Sequence, residues 1–122
     1  MAKNLDKDGL KSIAFKYDLF FIDIWGVIHD GVQLHENSIK ALNELEKLNK
    51  EYVLLTNAPR PNETVSKYLK KMGLDEKKSN KVFTSGQAAL NFFYKNLNNS
   101  KFYHIGPFKD YDLFDSFKKN KS

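Results

Sequence analysis

The sequence predicts an α/β fold built on an open parallel sheet. Two apolar runs carry that expectation, Leu19-Phe20-Phe21-Ile22 ending in Asp23 and Tyr52-Val53-Leu54-Leu55 ending in Thr56. Between them Ile39, Leu42, Leu45 and Leu48 recur every three residues among Lys, Glu and Asn, the pattern of an amphipathic helix packed on a sheet. Strand, helix and strand in that order make a βαβ unit. Its right-handed crossover leaves the strands parallel, with Asp23 and Thr56 emerging at one edge, where ligands of open parallel sheets gather.

At the amino end, Asp6-Lys7-Asp8-Gly9 with Leu10, Ile13 and Ala14 beyond predicts a short helix ahead of the sheet. Its Asp-x-Asp-Gly is not a calcium loop, because the later ligands and the closing Glu are missing. The first strand is expected to be buried and to release Asp23 at its carboxyl end, since an ionised group is too costly to leave in an apolar sheet interior. After the second strand, Pro61-Asn62-Glu63 opens a helix through Val65, Leu69 and Met72 to Gly73, whose N-terminal amides favour an anion nearby. A further helix is expected from an N-cap at Ser85 through Leu90, Phe93 and Leu97 until Asn98-Asn99-Ser100 breaks it. Asp110, Asp112 and Asp115, beyond the apolar Phe102-Tyr103-His104-Ile105-Gly106, are expected on the first turn and exposed face of a last helix.

The stretch Asp23-Ile24-Trp25-Gly26-Val27-Ile28-His29-Asp30-Gly31 resembles the first motif of the haloacid dehalogenase-like phosphatases, whose strand ends in Asp-x-Asp with the first Asp as phosphoryl-accepting nucleophile. The likeness extends to the class IIA branch and to a subgroup that reads Asp-x-Trp-Gly-Val with His-Asp-Gly soon after. Thr56-Asn57-Ala58-Pro59-Arg60 is similar to the second motif of the same family. The resemblance implies a Rossmann-like core, Asp23 as nucleophile and metal ligand, the Trp25 carbonyl as a second ligand, and Thr56 with Asn57 binding the phosphoryl group. Phosphoryl transfer to a carboxylate needs a cation and hydrogen-bond donors to offset like-charge repulsion, and Mg2+ with oxygen ligands and retained waters suits that task. Arg60 lies in the loop after Thr56, where substrate contact and solvent exposure are both open. Each motif also has a local reading, an Asp capping a turn and a Thr-Asn serving loop chemistry.

Two departures bear on catalysis. Trp25 stands where most of these phosphatases carry a second Asp, and an indole cannot act as general acid or base, a loss of about a hundredfold or more. His29 is a candidate substitute, with a solvated turn residue as the other reading. The family's later Lys and acidic motif are not found in context; Asp110 to Asp115 has one suitable spacing, but Pro107 stands where an Asp should follow Gly106. Instead, Val82 to Leu90 resembles the start of the class IIA cap, a short strand, a Thr-Ser turn and a helix, and Tyr103-His104-Ile105-Gly106-Pro107 resembles a cap strand. Thr84 and Ser85 are candidates for capping or for touching phosphate. The likeness therefore implies residues 1–80 as the first half of a core, with Lys77-Lys78-Ser79-Asn80 at the boundary, and residues 81–122 as the beginning of an α/β cap. An unfinished sheet is expected to show an open edge and uncovered apolar surface, favouring self-association.

With 122 residues, 41% hydrophobic and ten Phe, the chain has the makings of one modest core. Its charge of +5 invites a nucleic-acid partner, but Arg60 is the single arginine among 20 basic residues, the lysines spread over helix faces and the tail, and no nucleic-acid motif is present. Without cysteine there is no disulfide or thiolate metal site. Neither a secretory h-region nor a spanning apolar run occurs, so a cytoplasmic protein is expected. The expected function is hydrolysis of a small phosphorylated metabolite through an aspartyl-phosphate, weak or absent in this portion alone. The alternative is a catalytically incompetent portion or binding module of the same fold.

Overall fold

The computed structural model describes the backbone of residues 4–120 and side chains as far as Asp115. Among these residues one parallel sheet holds three strands in the order β1-β2-β3, formed by Leu19–Asp23, Glu51–Thr56 and Val82–Thr84. Six α-helices accompany it, α1 (Leu5–Asp8), α2 (Lys11–Ala14), α3 (Glu36–Lys47), α4 (Asn62–Lys71), α5 (Glu76–Ser79) and α6 (Ser85–Asn96), followed by a 3-10 helix over Phe108–Asn120. The chain packs as two compact units that divide between Leu54 and Leu55.

In the first unit, the single helix expected ahead of the sheet is two. Asn4 caps α1 by accepting from the Asp6 amide at 2.9 Å, and Gly9 at φ +70° ends it, a left-handed conformation that glycine adopts without a Cβ penalty. β1 is not buried on both faces as its apolar run implied. Phe20 and Ile22 are half-buried while Phe21 is 68% exposed, because alternate side chains point to opposite faces of the sheet and one face of β1 is covered. Leu42 and Leu45 of α3 are buried against the core. Leu48, fourth in the apolar repeat, caps the helix in solvent instead. There the chain turns through Asn49 at φ +54°, and the Lys50 amide donates to the Leu45 carbonyl at 2.9 Å. Tyr52 and Leu54 of β2 face the core, and the Tyr52 hydroxyl donates to Glu46 Oε1 at 2.7 Å.

In the second unit, α4 begins after Pro61 and stops before Gly73, whose φ of +102° reverses the chain and lets Leu74 join Leu69 in the interior. Lys77-Lys78-Ser79-Asn80 lies in a packed turn around α5. Asp75 caps that helix, accepting from Lys78 through both its amide (2.9 Å) and its ammonium (2.7 Å), while Ser79 is fully buried. The N-cap of α6 is Thr84, not Ser85, since Thr84 Oγ1 accepts from the Gln87 amide at 2.9 Å. Leu90 and Leu113 form a small core with Phe93, Phe102 and Phe114. The strand expected over Tyr103 to Gly106 finds no ladder among the described residues. Phe102 and His104 alternate with exposed Tyr103 and Ile105, and within this stretch Phe102 makes an isolated bridge.

Leu54 and Leu69 are each 0% exposed, one in each unit. Truncating either to Ala is expected to cost about 2–5 kcal/mol in urea unfolding, whereas Phe21→Ser should stay within about 0.5 kcal/mol.

Candidate functional site

Asp23 closes β1 in an exposed position, and its Oδ1 accepts from the Ile24 amide next to it at 2.9 Å. That bond fixes the carboxylate and leaves Oδ2 for other chemistry. Ile24 and Ile28 then plug into the interior, and the carbonyl of Ile24 accepts from the amides of Val27 (3.2 Å) and Ile28 (2.7 Å). Between them the chain makes a tight turn, closed by Gly26 at φ +79° donating to the His29 carbonyl at 2.8 Å. Trp25 is 67% exposed, with its ring edge-on to His29 at 6.2 Å between centroids. Its Cζ2 would lie 3.6 Å from a Cβ placed on Gly31, so the indole lies against the His29-Asp30-Gly31 turn.

His29 is not the solvated turn residue that one reading supposed. It is 3% exposed, and its Nδ1 accepts from the Gly31 amide at 2.8 Å. Burial pushes its pKa below the ordinary value, helped by His35 and opposed by Asp30. Protonation would place a hydrogen on Nδ1 facing the Gly31 N–H, so the fold favours the neutral imidazole. Asp30 caps the turn, accepting from the amides of Val32 (2.8 Å) and Gln33 (2.9 Å), bonds that hold its carboxyl below the usual range. Proton donation by His29 is thus opposed by its own surroundings.

In the second unit, Thr56 closes β2, and its Oγ1 accepts from the Ala58 amide at 3.3 Å. The loop that follows is fastened to the start of α6. Ser85 Oγ reaches the carbonyls of Asn57 (2.8 Å) and Ala58 (3.0 Å), the Gly86 amide donates to Ala58 (3.1 Å), and Thr84 Oγ1 donates to the Arg60 carbonyl. Asn62 completes the link, accepting from the Thr84 amide at 2.9 Å and donating to Gln87 Oε1 at 3.2 Å. That last bond takes the first amide of α4, one of those expected to favour an outside anion.

The Arg60 side chain is about one-third exposed and already has partners. Its Nη2 donates to the Lys109 carbonyl at 3.0 Å and lies 3.9 Å from Asp110 Oδ1. Asp112 accepts from Thr64 Oγ1 at 2.8 Å. Asp110 and Asp112 therefore face α4 and the loop before it, and only Asp115 of the three lies on an exposed face. Sequence reasoning passed over Asn62, Gly86 and Gln87 in this network. The legible signal was Gly86, a poor helix former in the first turn of a helix, where a Cβ would stand 2.7 Å from the Arg60 carbonyl carbon.

For a metal, the first unit offers the Asp23 carboxylate and the Trp25 carbonyl, both hard oxygen donors of the kind Mg2+ takes. No group of three or more His, Cys, Asp or Glu suited to a metal occurs among the described residues. They fit Mg2+ only as a partial set completed by water.

A family model described as haloacid dehalogenase-like hydrolase matches residues 20–117. The fold is similar to a haloacid dehalogenase-like hydrolase from Brucella suis, with a TM-score of 0.75 and 28% identity over 87% of this chain and 38% of that one. It is also similar to a variant of the thermostable p-nitrophenylphosphatase of Bacillus stearothermophilus, at 28% identity and a TM-score of 0.54 over 88% of this chain and 41% of that one. A 4-nitrophenylphosphatase from Thermotoga maritima shares the fold at 24% identity and a TM-score of 0.71, over 86% and 40%. A comparison with curated proteins gave no match. The chain thus spans about two-fifths of the length of these relatives, 38–41%. No helix among the described residues is long and apolar enough to cross a membrane.

The buried His29 makes a signed prediction for pH. Its folded pKa lies below the ordinary 6.5, so the unfolded chain binds the proton more readily and stability should fall as pH drops through 6.5 towards the folded value. His29→Asn, which keeps an acceptor for the Gly31 amide but cannot titrate, should flatten urea midpoints between pH 7.5 and 5. An unchanged slope would move the titration elsewhere.

Proposed function

This chain belongs to the haloacid dehalogenase-like hydrolases, and from that premise we propose that it is the N-terminal portion of a class IIA phosphohydrolase of the Asp-x-Trp-Gly-Val subgroup, acting on a small phosphorylated metabolite. The observation that supports this most is Asp23 itself, exposed at the end of β1 with one carboxylate oxygen tethered to Ile24. In the proposed reaction the untethered oxygen of Asp23 forms a bond to phosphorus as the ester P–O bond breaks, and the departing alkoxide takes a proton from solvent. Water then attacks the same phosphorus, releasing inorganic phosphate and a proton and restoring the carboxylate.

Thr56 and Asn57 are assigned to the phosphoryl group. Thr56 Oγ1 accepts from the Ala58 amide, which leaves the hydroxyl proton for an anion. Arg60 keeps a lesser claim on substrate, because Lys109 and Asp110 already engage its guanidinium. Asp23 and the Trp25 carbonyl would hold Mg2+, which when bound supplies positive charge between the two anions. Residues 1–80 are proposed as the first half of the core and 81–122 as the start of the cap. A cytoplasmic setting and self-association through the β1 edge, where Leu19 and Phe21 are exposed, belong to the same reading.

One observation favours a second reading, a module that binds phosphate without turning it over. With indole at Trp25 and a neutral imidazole at His29, neither side chain of the motif is suited to protonate a leaving group.

On the first reading, a magnesium-dependent hydrolysis of 4-nitrophenyl phosphate by the chain should be weak, and Asp23→Asn should abolish it by removing nucleophile and metal ligand together. Turnover that survives this substitution would overturn the assignment. Calorimetric titration should find Mg2+ binding weak, since two protein oxygens leave most of the octahedron to water. A submicromolar affinity would require ligands beyond Asp23 and Trp25.

A further inference from the structure

The loop after β2 is poor in donors. Pro59 and Pro61 have no N–H, so the two peptide groups that precede them present only carbonyl oxygens, which would repel a phosphate if turned towards it. In the structure these carbonyls are spoken for. That of Ala58 accepts from the Gly86 amide at 3.1 Å and that of Arg60 from Thr84 Oγ1, while the single Ser85 hydroxyl lies 2.8 Å from the neighbouring Asn57 carbonyl and 3.0 Å from that of Ala58.

A planar trans peptide sets its C=O and the following N–H in opposite directions. Holding the Asn57 carbonyl on Ser85 therefore aims the Ala58 N–H away from α6, and that N–H donates to Thr56 Oγ1 at 3.3 Å. The hydroxyl is thereby oriented, accepting on one side and left to donate on another. Gly86 permits the contact, because a Cβ there would stand 2.7 Å from the Arg60 carbonyl carbon. Ser85 is fit for the task for a further reason. As the first residue of α6, with Thr84 already serving as N-cap, it has no capping duty of its own.

We infer that Thr84, Ser85 and Gly86 are positioning residues that set the Thr56 hydroxyl for phosphoryl binding, with Ser85 the central member. The inference rests on the assignment of Thr56 to phosphate made above.

The test is titration of the 122-residue chain with inorganic phosphate, followed by 31P NMR, beside amide hydrogen exchange at Ala58. Thr56→Val and Ser85→Ala should each weaken phosphate binding about tenfold, the loss of one hydrogen bond to a charged group. The double variant should bind no worse than Thr56→Val alone, because Ser85 acts through Thr56. Ser85→Thr should restore both affinity and Ala58 protection. Phosphate affinity unchanged in Ser85→Ala while Thr56→Val is impaired would overturn the clamp, and so would additive losses in the double variant. If the unsubstituted chain or Thr56→Val shows that Thr56 does not bind phosphate, that assignment falls by itself. The clamp is then decided by exchange at Ala58, which must quicken in Ser85→Ala and recover in Ser85→Thr; unchanged exchange overturns it. Should Ser85→Ala fail to fold, Ser85→Cys, with similar volume and a weaker donor, is read in its place.

Discussion

Much of the second unit depends on one close approach, the backbone of Arg60 against Gly86. A backbone can come that near to a helix only where the helix carries no side chain, and Gly86 supplies the gap at the cost of a weak helix former in the first turn. Once the two are in contact, the loop carbonyls lie beside the start of α6 and take their donors from it. Thr84, Ser85 and the Gly86 amide provide those donors, and Asn62 and Gln87 close the link from the other side. The loop's conformation is thus decided by residues more than twenty positions away in sequence, as separations of 24 to 28 between Thr84 and Arg60 and between Ser85 and Asn57 show.

That separation explains what was legible beforehand and what was not. β1, α3, β2 and α4 announce themselves through local periodicity and end signals, and the carboxylate and hydroxyl at the two strand ends follow from the apolar runs that precede them. Burial was harder to read. An apolar run such as Leu19 to Ile22 looks the same whether a strand is covered on one face or on both, and only what packs on each face distinguishes them. Leu48 fits the helical repeat but falls just past the helix, where Asn49 turns the chain. Partners far apart in sequence left no periodic trace at all. Nothing near Arg60 in sequence hints at Lys109 or Asp110, and Asp112 looked solvated because Thr64 lies 48 positions away.

The turn after β1 shows how shape and protonation are tied. Its geometry is held in part by the Gly31 amide's hydrogen bond to Nδ1, which an imidazole accepts only in the neutral form, so the group best suited by type to exchange protons is committed to architecture. A carboxylate would not have met that requirement in a buried place without a further charge partner.

Trp25 has a practical consequence. It is the sole tryptophan of the chain, its indole largely open to solvent, and it stands edge-on to His29 two residues beyond the carboxylate that ends β1. Its intrinsic fluorescence is consequently a single-site optical signal, free of background from other indoles. An imidazolium quenches indole emission and a neutral imidazole does so far less, and an ion or anion settling beside Asp23 would alter the same emission. The chain carries a built-in spectroscopic reporter at the place where its chemistry is expected, and a titration can be followed there without a label.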